Sequence, residues 1–209
     1  QAVCGKEKAD ISFSSDSIMK NVTAYYEKHG TSNERMLAYY MLGCVYRDIH
    51  EAPLALEYYN KATEQADTVS QDCDYSTLYR IYSQMGVLFE KQYLCNQEFI
   101  AYNKATKYAY MAKDTLNALL CYMNSYIDLN QNDSIIARNL RAANLLRKHG
   151  YNYYAKMAFG SNYPYYIKKN DYIKAKETFE EYKKITAVPF RNLPVRIGSA
   201  YSNRLTLSR

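Results

Sequence analysis

Three histidines, five cysteines and a few adjacent carboxylates are the residues of this 209-residue chain best suited to chemistry. Glu180-Glu181 and Asp72-Cys73-Asp74 are the nearest carboxylate clusters. Neighbours on a helix point about 100° apart, so such pairs do not converge on one substrate as acid and base. They read as solvated faces. His29 and His149 stand at helix stops, where they are expected to cap carbonyls, and His50 falls in a tight turn. The cysteines at 4, 44, 73, 95 and 121 include no C-x-x-C pair, and with the histidines they give no zinc ligands at suitable spacing. Cys44 and Cys121 read as small buried residues. A Cys73–Cys95 bridge stays open for an oxidising compartment, although the odd count and wide spread are unlike a disulfide framework. Glycine-rich phosphate loops, H-E-x-x-H and G-x-S-x-G are all missing. The sequence predicts no catalytic residue, no metal and no cofactor: not an enzyme.

The elements that carry these residues follow from composition and charge. With 7 Gly and 4 Pro, the chain lacks the regular turn signals of an all-β sandwich. Its 48% apolar residues suffice for a sizeable core, yet no run is long enough to cross a membrane as a helix. The net charge of +6 is unevenly placed. Residues 1–137 hold 12 Lys and Arg against 17 Asp and Glu, a balance of −5, while residues 138–209 hold 15 against 4, or +11. Lys183, Lys184, Arg191, Arg196, Arg204 and Arg209 follow one another without an acid. Aromatics are 25 Tyr and 6 Phe with no Trp, and Tyr pairs recur at 25–26, 39–40, 58–59, 153–154 and 165–166. In each pair one ring can face the core while its neighbour lies at the boundary with a wet hydroxyl. A signature Tyr is expected to pack and its neighbour to stay at that boundary.

Self-comparison supplies the order. Aligning Gly43 with Gly86 superposes Tyr39 on Tyr82, Leu42 on Met85, Tyr46 on Phe89, Tyr59 on Tyr102 and Ala62 on Ala105. A mid-helix glycine costs about 1 kcal/mol against Ala, a cost accepted where two helices approach closely. Ala62 and Ala105 serve the same end, and flanking aromatics fill the space between hairpins. The first window then has aromatic, Leu, Gly, aromatic, Ala, aromatic and Ala at Tyr39, Leu42, Gly43, Tyr46, Ala55, Tyr59 and Ala62. The second departs at Glu98, and its offset of 43 residues places nine extra residues in a helix or loop. A third, looser unit runs through 119–129 and 135–146, with Leu120, Ile127, Ile136, Leu140 and Ala143 inward. In the fourth, Tyr172, Ala175 and Phe179 share one helix face, while Gly160 and Pro164 predict a kink or break in the helix before it.

This pattern resembles the tetratricopeptide repeat (TPR), a helical hairpin of about 34 residues. The resemblance implies an all-α, right-handed solenoid of about four antiparallel hairpins over 31–187. Ahead of it lie an extension (1–12) and one helix (13–30) through Ile18, Val22 and Tyr25. That helix is capped near Ser15-Asp16-Ser17 and stopped at Lys28-His29-Gly30 by a left-handed glycine, and Lys148-His149-Gly150 repeats the stop. Residues 188–209 read as a basic tail or as an incomplete further repeat, since Ile197-Gly198-Ser199-Ala200-Tyr201 echoes Leu42-Gly43-Cys44-Val45-Tyr46.

The resemblance also implies a protein or peptide partner on the concave face formed by the first helices. Carried over by position, the groove is Leu37, Tyr40, Cys44, Arg47 and Asp48, then Arg80, Ser83, Val87, Glu90 and Lys91, with Tyr40 and Arg80 as anchors. Tyr40 and Cys44 replace the Lys and Asn of the carboxylate clamp in chaperone-binding members, so that specificity is not implied. The Tyr-rich helices are similar to bacterial cell-envelope TPR proteins, which implies an envelope location, and Gln1-Ala2-Val3-Cys4-Gly5 resembles a lipoprotein processing site that would put a lipid on Cys4, although Gln1 stands where an aliphatic residue is expected. Two other readings accompany the scaffold. One is a sensory or docking part of a larger membrane-associated regulator. The other is nucleic-acid binding by the basic C-terminal third through Tyr165, Tyr166, Lys168 and Lys169.

Overall fold

The structure, a computed structural model, describes residues 15–69, 72–125 and 133–185, with side chains from Ile136 onward in the last stretch. Among them the regular structure is entirely helical: α1 Ser17–His29, α2 Ser32–Asp48, α3 Ala52–Glu64, α4 Tyr75–Lys91, α5 Cys95–Met111, α6 Thr115–Asn124, α7 Asp133–Lys148, α8 Asn152–Lys168 and α9 Tyr172–Lys184. The chain divides into two compact units, Gln1–Ser125 and Tyr126–Arg209. In the first, α1 packs on α2, α2 pairs with α3, α4 pairs with α5, and α6 packs on α5. Both α2 and α3 also touch α4. In the second, α8 lies against both α7 and α9.

Among the described residues one turn is used five times. His50, Tyr93, Lys113, Gly150 and Asn170 have φ values of 65, 58, 58, 80 and 60°. Each follows a helix and donates its N–H to the carbonyl three residues back, as His50 does to Arg47 and Asn170 to Ile167. The next residue donates five back, as Glu51 does to Tyr46 and Asp171 to Tyr166. This is the Schellman geometry that ends a helix on a left-handed residue. The residue closing it is at once the cap of the next helix, so two helices meet with almost no loop. Asp114 and Asp171 fill that place with carboxylates that accept from Asn117 N at 3.0 Å and Lys174 N at 3.1 Å.

Helix α1 stops differently. Gly30 is extended, with φ −85 and ψ 154°, so the expected left-handed glycine is found at Gly150 but not here. What Gly30 supplies is room: a Cβ would sit 2.6 Å from the Tyr26 carbonyl oxygen. Asp16 precedes α1 without capping it; its carboxylate instead pairs with Lys20 at 2.7 Å and accepts from Tyr46 Oη at 3.0 Å. Those two partners hold its pKa below the ordinary carboxylate value. Met19 and Thr23 form the buried face, whereas Ile18 and Tyr25 are exposed. Thr31 then opens α2 with a reciprocal capping box to Glu34.

The two glycines of the repeat sit under tyrosines. A Cβ on Gly43 would meet the Tyr59 ring at 2.5 Å, and one on Gly86 the Tyr102 ring at 2.8 Å. Both rings are sealed, at 0% and 1% exposure. The extra residues of the second window lie outside these hairpins, in the connection from Gln65 to Asp74. Asn33 pins that connection, donating to the Asp72 carbonyl at 2.6 Å and accepting from Asp74 N at 3.0 Å.

The later units depart further from the sequence pattern. Helix α6 ends at Asn124, short of the expected 129, and Ile127 lies outside the described residues. Leu120, Ile136 and Ala143 are buried as expected, and Leu140 is partly so. Helix α8 runs unbroken through Gly160 and Pro164, packed against both α7 and α9, and a Cβ on Gly160 would stand 3.3 Å from the Tyr182 ring. On α9, Ala175 and Thr178 are buried while Tyr172 and Phe179 reach solvent.

Candidate functional site

The groove predicted from spacing begins with a residue that changes its role. Tyr40 is 6% exposed and Cys44 is 4% exposed, both within the core of the first unit. Tyr40 packs on Tyr59 with ring centroids 5.9 Å apart, and Tyr59 Oη donates to Cys44 Sγ at 3.6 Å. Burial drives the Tyr59 phenol far above its ordinary pKa, so it stays protonated. These two positions are therefore floor, not anchors. In the preceding residue the assignment inverts as well: signature Tyr39 is the half-buried ring, donating its hydroxyl to Glu27 at 2.8 Å. The pairs at 58–59, 153–154 and 165–166 divide as expected, with Tyr59, Tyr154 and Tyr165 buried beside half-buried neighbours, whereas Tyr25 is exposed and Tyr26 only half-buried.

Beside that floor, polar side chains of α2 and α4 meet in a short strip. Arg47 donates through Nη1 to Gln84 Oε1 at 2.8 Å, tying the first helices of two hairpins together. Its Nε and Nη2 donate to Asp48 Oδ1 at 3.0 and 2.7 Å. Leu37 and Lys91 are exposed, and Arg80, Ser83, Val87 and Glu90 are half-buried. Ser83 Oγ lies 3.7 Å from Cys121 Sγ on α6. Burial pushes that thiol up to about 12.

Next to Arg80, a second knot joins α4 to α6. Tyr79 Oη donates to Asp114 Oδ2 at 3.1 Å, and Asn117 Nδ2 donates to both at 2.7 and 3.2 Å. Burial raises the Tyr79 pKa, against the pull of neighbouring Arg80 and with the help of Asp114. Gln84, Tyr79, Asp114 and Asn117 were not legible as site residues. The one signal that pointed there was Asp114 three residues before Asn117 at a helix start, a capping spacing.

The other candidates from sequence take structural places. His50 occupies the left-handed turn position, while the rings of His29 and His149 pack on Tyr25 and Tyr151 at 4.9 and 6.3 Å. Cys73 and Cys95 are free thiols, the first buried and the second exposed, so the bridge between them is not formed. Among the described residues no group of three or more His, Cys, Asp or Glu is arranged to hold a metal ion. No described helix is long and apolar enough to cross a membrane. In the basic third, Tyr165 is buried with Lys169 Nζ over its ring at 5.6 Å, and Lys174 covers Tyr166 at 5.8 Å. The echo at 197–201 and Cys4 lie outside the described residues. No family model matches this chain, and no curated protein matches it with significant similarity.

Proposed function

We propose that the chain is a TPR-like, right-handed α-solenoid serving as a non-catalytic scaffold that binds a protein or peptide across the first helices of its hairpins. The observation that carries this reading is the repeated register. Gly43 under Tyr59 and Gly86 under Tyr102 are both 16 residues apart, each pair spanning the same left-handed turn. Units that bury a shared face by stacking leave one helix of every hairpin free for recognition. On that side Leu37 and Val87 offer apolar contact, and Arg47, Arg80, Glu90 and Lys91 offer charges of both signs. Arg47 and Arg80 are already oriented by neighbours, so they hold a ligand with less entropy loss than free side chains.

Panning a random peptide library against the folded chain tests this. Enriched peptides should bind Leu37→Asp/Val87→Asp at least about tenfold more weakly, with helicity unchanged and with Glu57→Gln binding like the parent. Failure to enrich any sequence, or equal binding to the double variant, rejects the groove.

A further inference from the structure

The two well-formed hairpins differ on their outer helices in a way the repeat does not require. Helices α3 and α5 occupy equivalent places, since turn residue, glycine and sealed tyrosine all correspond at an offset of 43 residues. The solvent-facing positions Glu51, Glu57 and Glu64 of the first hairpin become Leu94, Ile100 and Lys107 in the second. All six are exposed. Carboxylates have been exchanged for apolar tips and a cation at positions that the fold leaves in water.

The exchange extends along the whole outer face. Tyr93, Ile100 and Tyr110 are 78, 54 and 50% exposed, and Phe99 and Met111 join them. Lys91, Lys104, Lys107 and Lys113 are interspersed, all exposed. Between residues 91 and 113 the single acid is Glu98, which is buried. An ordinary water-facing helix does not place this much apolar surface in the open beside a run of lysines, of which Lys104 and Lys107 lean over the rings of Tyr82 and Tyr108 at 4.9 and 5.5 Å.

We propose that the outer face of α5 lies on an anionic lipid surface. Two features favour a bilayer over an acidic peptide. The exposed apolar and basic positions lie on one helix, whereas the usual peptide sites are an open sheet edge or a groove between elements. Tyrosyl and aliphatic tips among lysines match the boundary where acyl chains end and headgroup phosphates begin. Seventeen residues span about 25 Å, a length that lies in the interface without crossing it. This surface is separate from the α2–α4 strip, so a peptide and a membrane are bound independently.

The test is flotation of the full chain with vesicles of phosphatidylcholine alone and of phosphatidylcholine with a quarter phosphatidylglycerol. Binding to the anionic vesicles, weakening as salt is raised, is expected. Ile100→Glu/Tyr110→Glu should lower partitioning at least about tenfold, and Lys104→Gln or Lys107→Gln about fivefold each. Glu57→Ile/Glu64→Lys, which gives α3 the character of α5, should not lower it. Equal binding by Ile100→Glu/Tyr110→Glu would move the affinity to the basic residues 183–209 and overturn the proposal. So would absence of binding to anionic vesicles at low salt, or selective capture of an acidic peptide by α5 in their place.

Discussion

Gly43 shows how a single residue can set the distance between two helices. A methyl group there would stand 2.5 Å from Cδ1 of Tyr59, a ring with no exposed surface and no free direction in which to turn. Alanine would return about 1 kcal/mol of helix propensity, but overpacking a sealed site costs about 1–3 kcal/mol and here also displaces the hydroxyl held by Cys44. Gly43→Ala is therefore expected to destabilise the protein by about 1–2 kcal/mol. Gly86→Ala should do so less, because its contact is 2.8 Å, and Gly160→Ala should be neutral or stabilising, because Tyr182 is 3.3 Å away and half-buried. Urea denaturation of the three variants checks the order; a Gly43→Ala protein as stable as the parent would remove close approach as the reason for the glycine. Tyr39 and Tyr40 teach a related point. Both are tyrosines on one helix, and the ring that repeat spacing marks for packing is the one left half-buried.

At the scale of elements, the repeated turn is the feature most open to experiment. Four of its five left-handed positions carry a residue with a Cβ: His50, Tyr93, Lys113 and Asn170. The conformation costs roughly 1–2 kcal/mol for such residues, asparagine less, partly offset by the entropy glycine loses on folding. Lys113 is exposed, so Lys113→Gly should stabilise the fold by about 0.5–1 kcal/mol, raising Tm by about 1–4 °C. Gly150 provides the reverse case. An added Cβ would meet nothing within 4 Å, so Gly150→Ala isolates the backbone term and should cost about 1 kcal/mol. Opposite signs in thermal melts of these two variants support the turn as the common connector, and equal signs refute it.

Across the whole molecule, the cysteines divide the two units. All five lie within the first, and of the four described there only Cys95 is exposed. A thiol reagent should label Cys95 rapidly in the native protein and reach Cys44, Cys73 and Cys121 only as the first unit opens. Mass mapping of labelled peptides reads this, and prompt labelling of Cys121 would contradict its burial. The Cys121 thiol, pushed up to about 12 from its ordinary 9.0, adds a pH dependence. Folding holds its proton more tightly than the unfolded chain does, so its contribution is full below pH 9.0 and is lost as pH rises toward 12. Helix class, the register of the first two hairpins and the chemistry of the caps were legible in the sequence, since each depends on residues a few turns apart. The nine extra residues were legible as a number but not as the 65–74 connection. Of the candidate site, Leu37 is exposed and Arg47 and Val87 half-buried on α2 and α4, while Tyr40 and Cys44 are buried and the contacts of Gln84 and Asp114 depend on neighbouring helices. By itself the sequence determined local events, because caps, breakers and 3.6-residue periodicity act within one helix or hairpin. Tertiary structure alone decided which of two adjacent rings is buried, whether Gly160 and Pro164 break α8, and whether a glycine turns left-handed. Those outcomes depend on where other helices pack, and no single segment contains that information.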